Sequence, residues 1–562
     1  MNKICSILLC ILLLHSCTSK SVHEYTPLNY TELDARINEI EDIIKVRDTE
    51  PVKSLWRSYL LASTKNSFDD ASEKVFAECE DSIISFLQKS IDDKDYVTAS
   101  KYFSSLKSVE SKKIESYASW FSHDNYYDNV NVNVNDNDND NDKEIKADEV
   151  TSQVEQLSEV KVSDFLSGTV TVWVDRGIKV EKGMGYADRV IGSGFFIDDK
   201  GHFVTNYHVI ESEVDASYEG YSRVYVKLYK DSATRIPAKV IGYDKALDLA
   251  LLKTEAIPPY VFSLGSSADL DVGDAIYAIG SPLGLENTIT SGIVSAKDRY
   301  LFSIAQVMQI DAAVNSGNSG GPIIDKNGNV KAVVFAGIME YEGLNFAIPV
   351  EYLKTLLPAL YMGKVEHSWT GFYGITKKEF PSSQKGSGVE VLYIMSGSSA
   401  QRSSLSIGDV ITHINDISIE GVEHLQRAML GIPQDSIIQC KGINSAGEAF
   451  VKALYTEVRP ENPLYDVYQR EPLARSFLPI FGMDLTPSST LNKNVYTINS
   501  IIQGSIADEN GFSVLDPVEV KRNKLLEENQ ILYAELFTRK RSNAYFEVNI
   551  AIAAPLDSPF IF

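Results

Sequence analysis

The chain has 562 residues, too many for one hydrophobic core, so several domains are expected. Lys and Arg total 53 against 77 Asp and Glu, a formal charge of −24 that argues against a nucleic-acid partner and fits an acidic protein facing unfolded polypeptides. The 8 His are scattered and no Cys-x-x-Cys occurs, so metal-ligand spacing is absent and no cofactor is expected.

Residues 1–16 read as an export signal. Lys3 supplies a positive start, and Ile4 to Leu14 form an apolar run too short to span a bilayer. The segment Leu14-His15-Ser16-Cys17 resembles a bacterial lipobox, in which Cys17 would carry the lipid. His15 departs from the small or branched residue usual there, and cleavage nearby as an ordinary signal peptide is the alternative. No other segment is long and apolar enough to be transmembrane. The expectation is an envelope-facing, periplasmic chain anchored to a membrane by lipid. Cys79 and Cys440 fall in separate expected domains, so no disulfide framework is foreseen.

Residues 22–122 carry helical periodicity. Thr31 is an N-cap candidate, and Leu33, Ile37, Ile40 and Ile44 follow at helical spacing. Further amphipathic stretches run near 53–62, 69–90 and 95–120. Asp95 to Phe103 faintly resembles a tetratricopeptide helix start, but a small helical bundle accounts for the same pattern. Residues 124–149 are Asn/Asp-rich. A calcium-loop frame from Asp136 or Asp138 would need glycine at its sixth position, where Asn141 or Lys143 stands. A solvated, disordered linker over 123–155 is therefore expected.

The next segment carries chemistry. Gly192-Ser193-Gly194-Phe195-Phe196-Ile197 reads as a short apolar strand followed by the turn Asp198 to Gly201. His208, in Thr205-Asn206-Tyr207-His208-Val209, would then lie just past the second strand of a hairpin, where a general base can be held rigidly. Asp248 sits in an apolar run, costly to bury unless an imidazole N–H or similar donor meets it. Ser319 lies in Gly317-Asn318-Ser319-Gly320-Gly321-Pro322. Glycines there allow backbone amides to converge near the hydroxyl, as an oxyanion hole requires. The chain order His208, Asp248, Ser319 is one in which Ser-His-Asp triads occur. The predicted roles are Ser319 as nucleophile, His208 as base and then acid, and Asp248 as the group fixing the tautomer. The amides of Gly317, Ser319 and Asn318 would bind the oxyanion.

These motifs, together with Leu264-Gly265-Ser266-Ser267, Ile279-Gly280-Ser281-Pro282-Leu283-Gly284 and Asn345-Phe346-Ala347-Ile348-Pro349, resemble the HtrA, or DegP-like, serine proteases over about residues 165–360. The resemblance implies a chymotrypsin-like double β-barrel and gives the triad roles to the same three residues. Asn318, a neutral amide, cannot ion-pair with a newly cut N-terminal amine. Loop ordering on substrate binding, and not zymogen cleavage, is the expected control. Ala313, six residues before the serine, carries no charge in the primary pocket, so small or medium aliphatic residues are expected at the cleavage site.

Beyond 366 the motifs change. Gly371-Phe372-Tyr373-Gly374-Ile375, Ser396 to Ala400 and Ile407-Gly408-Asp409-Val410-Ile411 resemble a PDZ domain of the HtrA type. Such domains add an extended peptide as a strand. By resemblance Phe372, Tyr373, Gly374 and Ile375 cup its end. Ser403-Ser404-Leu405 departs from the usual Ala-Gly-Leu. A weaker echo places Ile480 to Met483 opposite Phe372 to Ile375, Gln503 to Ala507 opposite Ser396 to Ala400, and Asp516 opposite Asp409, at offsets of 107 or 108 residues. Pro517 argues against a regular strand there.

The sequence thus predicts a multidomain protein: signal 1–16, α-helical region 22–122, linker 123–155, protease 160–362, PDZ 366–458 and a degenerate second PDZ-like α+β domain at 474–562. The expected activity is ATP-independent endopeptidase cleavage of misfolded or damaged envelope proteins, in a homotrimer or larger homo-oligomer. The alternative is a chaperone or peptide-binding scaffold whose protease is little used.

Overall fold

The computed structural model describes residues 33–63, 69–118, 120–121, 162–229, 231–281, 288–301, 304–315, 317–337, 344–379, 385–488, 494–526, 530–541 and 545–562. The export signal, Cys17, Thr31 and the Asn/Asp-rich linker lie outside the described residues.

The helical region comprises α1 (Leu33–Val46), α2 (Pro51–Ser63), α3 (Asp69–Asp92) and α4 (Tyr96–Ser108). Asp95 caps α4 by accepting from the Thr98 amide at 3.1 Å. The expected helix over 95–120 stops at Ser108 and resumes as a 3₁₀ turn at Lys112–Tyr117, after Glu110 takes a left-handed φ of 57°. The buried face of α1 also differs from the predicted one. Ile37 and Ile44 are exposed, while Arg36, Glu39 and Ile43 are buried. The polar members of that face are satisfied internally: Arg36 donates to the Leu61 carbonyl and Ser72 hydroxyl, and Glu39 pairs with Arg57.

Two closed barrels follow. The first contains β1 (Thr169–Glu181), β2 (Met184–Phe196), β3 (His202–Thr205), β4 (Arg223–Leu228), β5 (Asp231–Asp244) and β6 (Leu249–Thr254). The second contains β7 (Ala275–Gly280), β8 (Thr288–Tyr300), β9 (Gln306–Ile310), β10 (Pro322–Ile324), β11 (Val330–Gly337) and β12 (Asn345–Pro349). The period of two along each strand explains how one chain fills three cores. On β3 and β6, Phe203, Ala250 and Leu252 point into the first barrel. Their neighbours Val204, Leu249 and Leu251 pack instead against Ile279, Val333 and Ile348 of the second barrel. That shared layer fixes how the barrels face each other. Between β3 and β4 lies the short helix α5 (Tyr207–Val214), and α6 (Val350–Met362) follows the second barrel and packs into the shared layer through Val350, Leu353, Leu356 and Leu360.

Two PDZ-like domains complete the chain. The first has β13 (Phe372–Glu379), β14 (Lys385–Ile394), β15 (Val410–Ile414), β16 (Ile437–Ile443) and β17 (Ala449–Tyr455) in one sheet, with helices α7 (Ser399–Arg402) and α8 (Val422–Leu430). The second opens with α9 (Pro463–Arg470) and α10 (Leu473–Phe481), earlier than the expected boundary at 474. It continues with β18 (Met483–Pro487), β19 (Val495–Ile501), α11 (Ile506–Glu509), β20 (Pro517–Leu526), β21 (Ile531–Arg541) and β22 (Tyr545–Pro555).

The internal repeat is visible in backbone hydrogen bonds. Val391 N donates to Asp409 O as Ile498 N does to Asp516 O, both 107 residues apart. The first landmark is shifted, however. Gly371 (φ 85°) and Gly482 (φ 80°) are equivalent, since a Cβ on either would strike the Cβ of the serine that caps the following helix, Ser398 or Ser505. The offset there is 111, not 108, so Met483 and not Ile480 corresponds to Phe372. Pro517 does not prevent a regular strand: it is the first residue of β20, where a missing N–H is tolerated. Among its described residues the second domain has no counterpart of α8, the wall that faces β13 in the first.

The helical region docks on the first PDZ domain. Trp56 is buried, stacks on Tyr455 at 5.5 Å, and donates its indole N–H to the Ala453 carbonyl at 3.0 Å. Lys101 pairs with Asp435 and Lys107 with Asp416. Among the described helices none is long and apolar enough to cross a membrane. Cys79 and Cys440 are both buried free thiols in separate domains.

Candidate active site

The predicted triad residues converge at the junction of the barrels. His208 is the second residue of α5, whose start is set by the end of β3. Asp248 stands in the turn before β6 with φ 55°, a left-handed conformation that costs a residue with a Cβ roughly 1–2 kcal/mol. Asn206 holds that turn by donating its side-chain amide to the Asp248 carbonyl at 2.8 Å. In this posture the Asp248 carboxylate meets His208 twice. One oxygen accepts the His208 backbone amide at 2.7 Å, and the other lies 2.7 Å from Nδ1. The ring is therefore fixed in place, and Nδ1 carries the proton toward the carboxylate, leaving Nε2 as the basic nitrogen. Burial alone would lower the His208 pKa. The Asp248 hydrogen bond and charge, aided by the charge of Glu211, outweigh it, and the net shift is upward.

Ser319 sits on the loop entering β10. That loop is tied to the first barrel through Ser193. Its hydroxyl donates to the Gly317 carbonyl at 2.6 Å and accepts from the Ser281 amide at 2.9 Å. Its backbone amide donates to the Ser319 carbonyl at 2.8 Å. The Ser193 carbonyl in turn accepts from the Thr205 hydroxyl at 2.7 Å. Gly320 lies against this joint at φ 84°. A Cβ there would come within 2.3 Å of the Ser193 carbonyl oxygen and 2.4 Å of the Thr205 hydroxyl, so glycine is required on both grounds. Ser193 was visible in the sequence only as the centre of a Gly-Ser-Gly. A hydroxyl inside an apolar strand is the one signal that could have singled it out, because a buried hydroxyl needs a partner.

Two features of the loop differ from the predicted constellation. The Asn318 amide donates to the Asn315 carbonyl at 3.0 Å, so it does not face a reacting oxygen. Gly317 and Ser319 remain as the oxyanion candidates, since neither amide donates to a partner among the described residues. The Ser319 hydroxyl itself contacts the Phe335 carbonyl at 3.4 Å, and no hydrogen bond joins it to His208 among the described residues. Asp248 thus holds His208 in place, while the Ser319 hydroxyl is turned toward Phe335. Nearby, Ala312 is buried in the second barrel and Ala313 is exposed, with their carbonyls held by Asn345 at 2.8 Å and Thr290 at 2.9 Å. No cluster of metal ligands occurs among the described residues.

Phe372 to Ile375, which the resemblance makes the cup for a peptide's end, form the start of β13. The edge of that strand is already occupied by residues of the same chain. Phe372 N donates to the Phe562 main-chain oxygen at 3.0 Å, Phe562 N donates to Phe372 O at 2.8 Å, and Gly374 N donates to Phe560 O at 3.0 Å. The end of the segment predicted to belong to the second domain thus pairs its main chain with the first, while Leu556 and Ile561 still pack in the second.

Family profiles match in the same order along the chain. One described as Domain of unknown function (DUF8517) covers residues 34–122, Trypsin-like peptidase domain covers 192–333, PDZ domain covers 364–431 and TP0546 family PDZ domain covers 464–556. Fold and matches together define the class: a helical region, a trypsin-like peptidase domain and two PDZ domains. The chain is similar to two proteins named "Probable periplasmic serine endoprotease DegP-like". The one from Chlamydia trachomatis is 34% identical over 256 residues, 43% of this chain and 49% of the relative. The one from Hahella chejuensis is 37% identical over 234 residues, 40% and 48% of the two chains. The chain spans about half the length of these curated relatives. Among solved structures, the serine endoprotease from Yersinia pestis aligns at 24% identity over 53% of this chain and 97% of that one, with a TM-score of 0.39.

Proposed function

We propose that this chain is a serine endopeptidase that cleaves misfolded or damaged envelope proteins without ATP. The observation that carries the reading is the two-point clasp of His208 by Asp248 beside the Ser319 loop. Once substrate draws the Ser319 hydroxyl from Phe335 toward Nε2, His208 takes the hydroxyl proton as Oγ attacks the scissile carbonyl. The imidazolium is stabilised by the carboxylate behind it and returns the proton to the leaving amine. The Gly317 and Ser319 amides would receive the oxyanion, each worth about 3–4 kcal/mol to the transition state.

The PDZ strand Phe372 to Ile375 would hold a second part of the polypeptide by backbone pairing. The periplasmic relatives favour a location in the cell envelope, with Cys17 as the lipid-bearing anchor, and a homotrimer or larger assembly is proposed with it. Incubation of the full chain and of Ser319→Ala with unfolded casein, followed by mapping of the fragments, tests the activity. Fragments from the unaltered chain alone are the expected result. Equal digestion by both, or by neither, would remove the endopeptidase reading.

The turned-aside Ser319 hydroxyl favours one second reading, a peptide-binding scaffold whose protease is little used. Full function of Ser319→Ala in the cell would establish it.

A further inference from the structure

We propose that residues 559–562 are a built-in ligand of the first PDZ groove, and that polypeptides entering this groove must displace them. The proposal rests on the peptide-binding role proposed for Phe372 to Ile375. The segment enters as an added strand beside β13, with Tyr373 and Ile561 paired antiparallel. Its main chain meets the edge at four points: Gly371 N to Phe562 O, Phe372 N to the same oxygen, Phe562 N to Phe372 O, and Gly374 N to Phe560 O. The opposite wall contributes Gln426 of α8, which donates to the Pro559 carbonyl at 2.8 Å. A chain held by both walls of the groove is in the place where a peptide ligand would lie.

The side chains alternate as those of an inserted strand should. Phe562 is 6% exposed, stacks on Phe372 with centroids 5.4 Å apart, and joins the core of the first PDZ domain. Ile561 turns the other way into the core of the second domain. Phe560 lies 5.9 Å from Tyr373 and 6.2 Å from Tyr300 at the end of β8. The pocket is thus filled by an aromatic ring, and the next ring on the same side also touches the protease barrel. The ligand class this geometry selects is an extended segment with aromatic residues two apart, the spacing of Phe560 and Phe562. The segment is held in place by the same fold, so its local concentration is that of a short tether, in the millimolar range. A free peptide of the same sequence must therefore bind far more weakly to the occupied groove than to the open one.

The test uses the full chain carrying Ser319→Ala, to prevent cleavage, with and without Phe562→Asp. A fluorescein-labelled peptide of residues 557–562, Asp-Ser-Pro-Phe-Ile-Phe, is titrated by anisotropy. Amide hydrogen exchange at Phe372 and Gly374 is followed in both chains. The expected result is at least tenfold tighter binding to the Phe562→Asp chain, with both amides protected in the parent and released in the variant. Equal affinity for the two chains overturns the internal ligand while leaving the groove a peptide site. Amides released in the variant with no peptide bound to either chain overturn the competition through failure of the peptide-binding role itself. If Phe562→Asp does not fold, deletion of 559–562 replaces it. Rapid exchange of both amides in the unaltered chain overturns the proposal without any variant.

Discussion

Ser193 and Gly317 are joined by a 2.6 Å hydrogen bond across 124 residues of sequence, from a strand of the first barrel to the loop that carries Ser319. The bond makes the position of Ser319 depend on a residue of the first barrel. Ser193 also accepts from Ser281, so the same hydroxyl links both barrels to the loop.

Replacing Ser193 with alanine should therefore uncouple the loop. It leaves the buried Gly317 carbonyl and Ser281 amide without this partner, a loss of about 1–3 kcal/mol in stability. Displacement of Ser319 should lower kcat by roughly tenfold to a hundredfold with KM little changed. Thermal denaturation and steady-state kinetics on a peptide substrate measure the two effects. An unaltered kcat would show that the loop is held by other means.

The His208–Asp248 clasp sets a pH dependence. Catalysis needs neutral His208, and its pKa is raised, so kcat/KM should rise with pH through an inflection above the ordinary value of about 6.5. Stability runs the other way. The contribution of the pair is fully present below the unfolded value of about 6.5 and is lost as pH rises through the raised folded value. In Asp248→Asn the charge is gone and burial dominates, so the inflection should move downward while kcat falls by roughly 10⁴. A pH–rate profile of both chains reads this directly, and an unmoved inflection would assign it to another group.

Ala313 should govern the cleavage preference. Its carbonyl is fixed by the Thr290 hydroxyl and it adds neither bulk nor charge to the exposed edge beside the Ser319 loop. Peptide-library profiling should return small or medium aliphatic residues at the cleavage site. Ala313→Asp should shift that profile toward Lys and Arg, as an ion-pair partner in the pocket would. A parent profile dominated by basic residues would contradict the assignment.

Trp56→Ala should release the helical region from the first PDZ domain. The indole stacks on Tyr455 and donates to Ala453, and truncating a buried Trp costs about 3–5 kcal/mol. Limited proteolysis should then cut within residues 33–121 of the variant while the barrels resist. Unchanged resistance of the helices would show that the remaining contacts, among them the Lys101–Asp435 and Lys107–Asp416 pairs and the Ile437 amide on Ser105, are enough to hold them.

The site was legible in the sequence to the extent that its chemistry is carried by side chains. His208, Asp248 and Ser319 announce themselves by residue type and by their flanks: a buried acid must have a partner, and a serine among glycines has unusual backbone freedom. What the sequence hid is carried by main-chain atoms. The amide of Asn318 and its neighbours are alike on paper, and only the Asn315 carbonyl distinguishes them. The pairing of Phe560 and Phe562 with β13 was likewise hidden, because strand addition is made by backbone N–H and C=O groups and two aromatic residues two apart do not name the edge they join. Periodicity misjudged α1 for a related reason. Ile37 and Ile44 fit an apolar stripe, yet Arg36 and Glu39 are buried beside Ile43 because each finds a partner on another helix. The repeat was found from its best-matching letters, and its register at Gly482 became evident only from a shared left-handed backbone angle.

Trp56 is synthesised 397 residues before the Ala453 carbonyl that receives its indole N–H. At about 5–20 residues per second, the helices wait on the order of 20–80 s for the surface they cover. During that interval Trp56 has no Tyr455 to stack on, and the apolar face that will meet Ile437 and Ala453 stays open. The helices made well before the first PDZ domain are therefore among the last elements to reach their final packing, with a tryptophan-bearing face open to solvent until that domain exists.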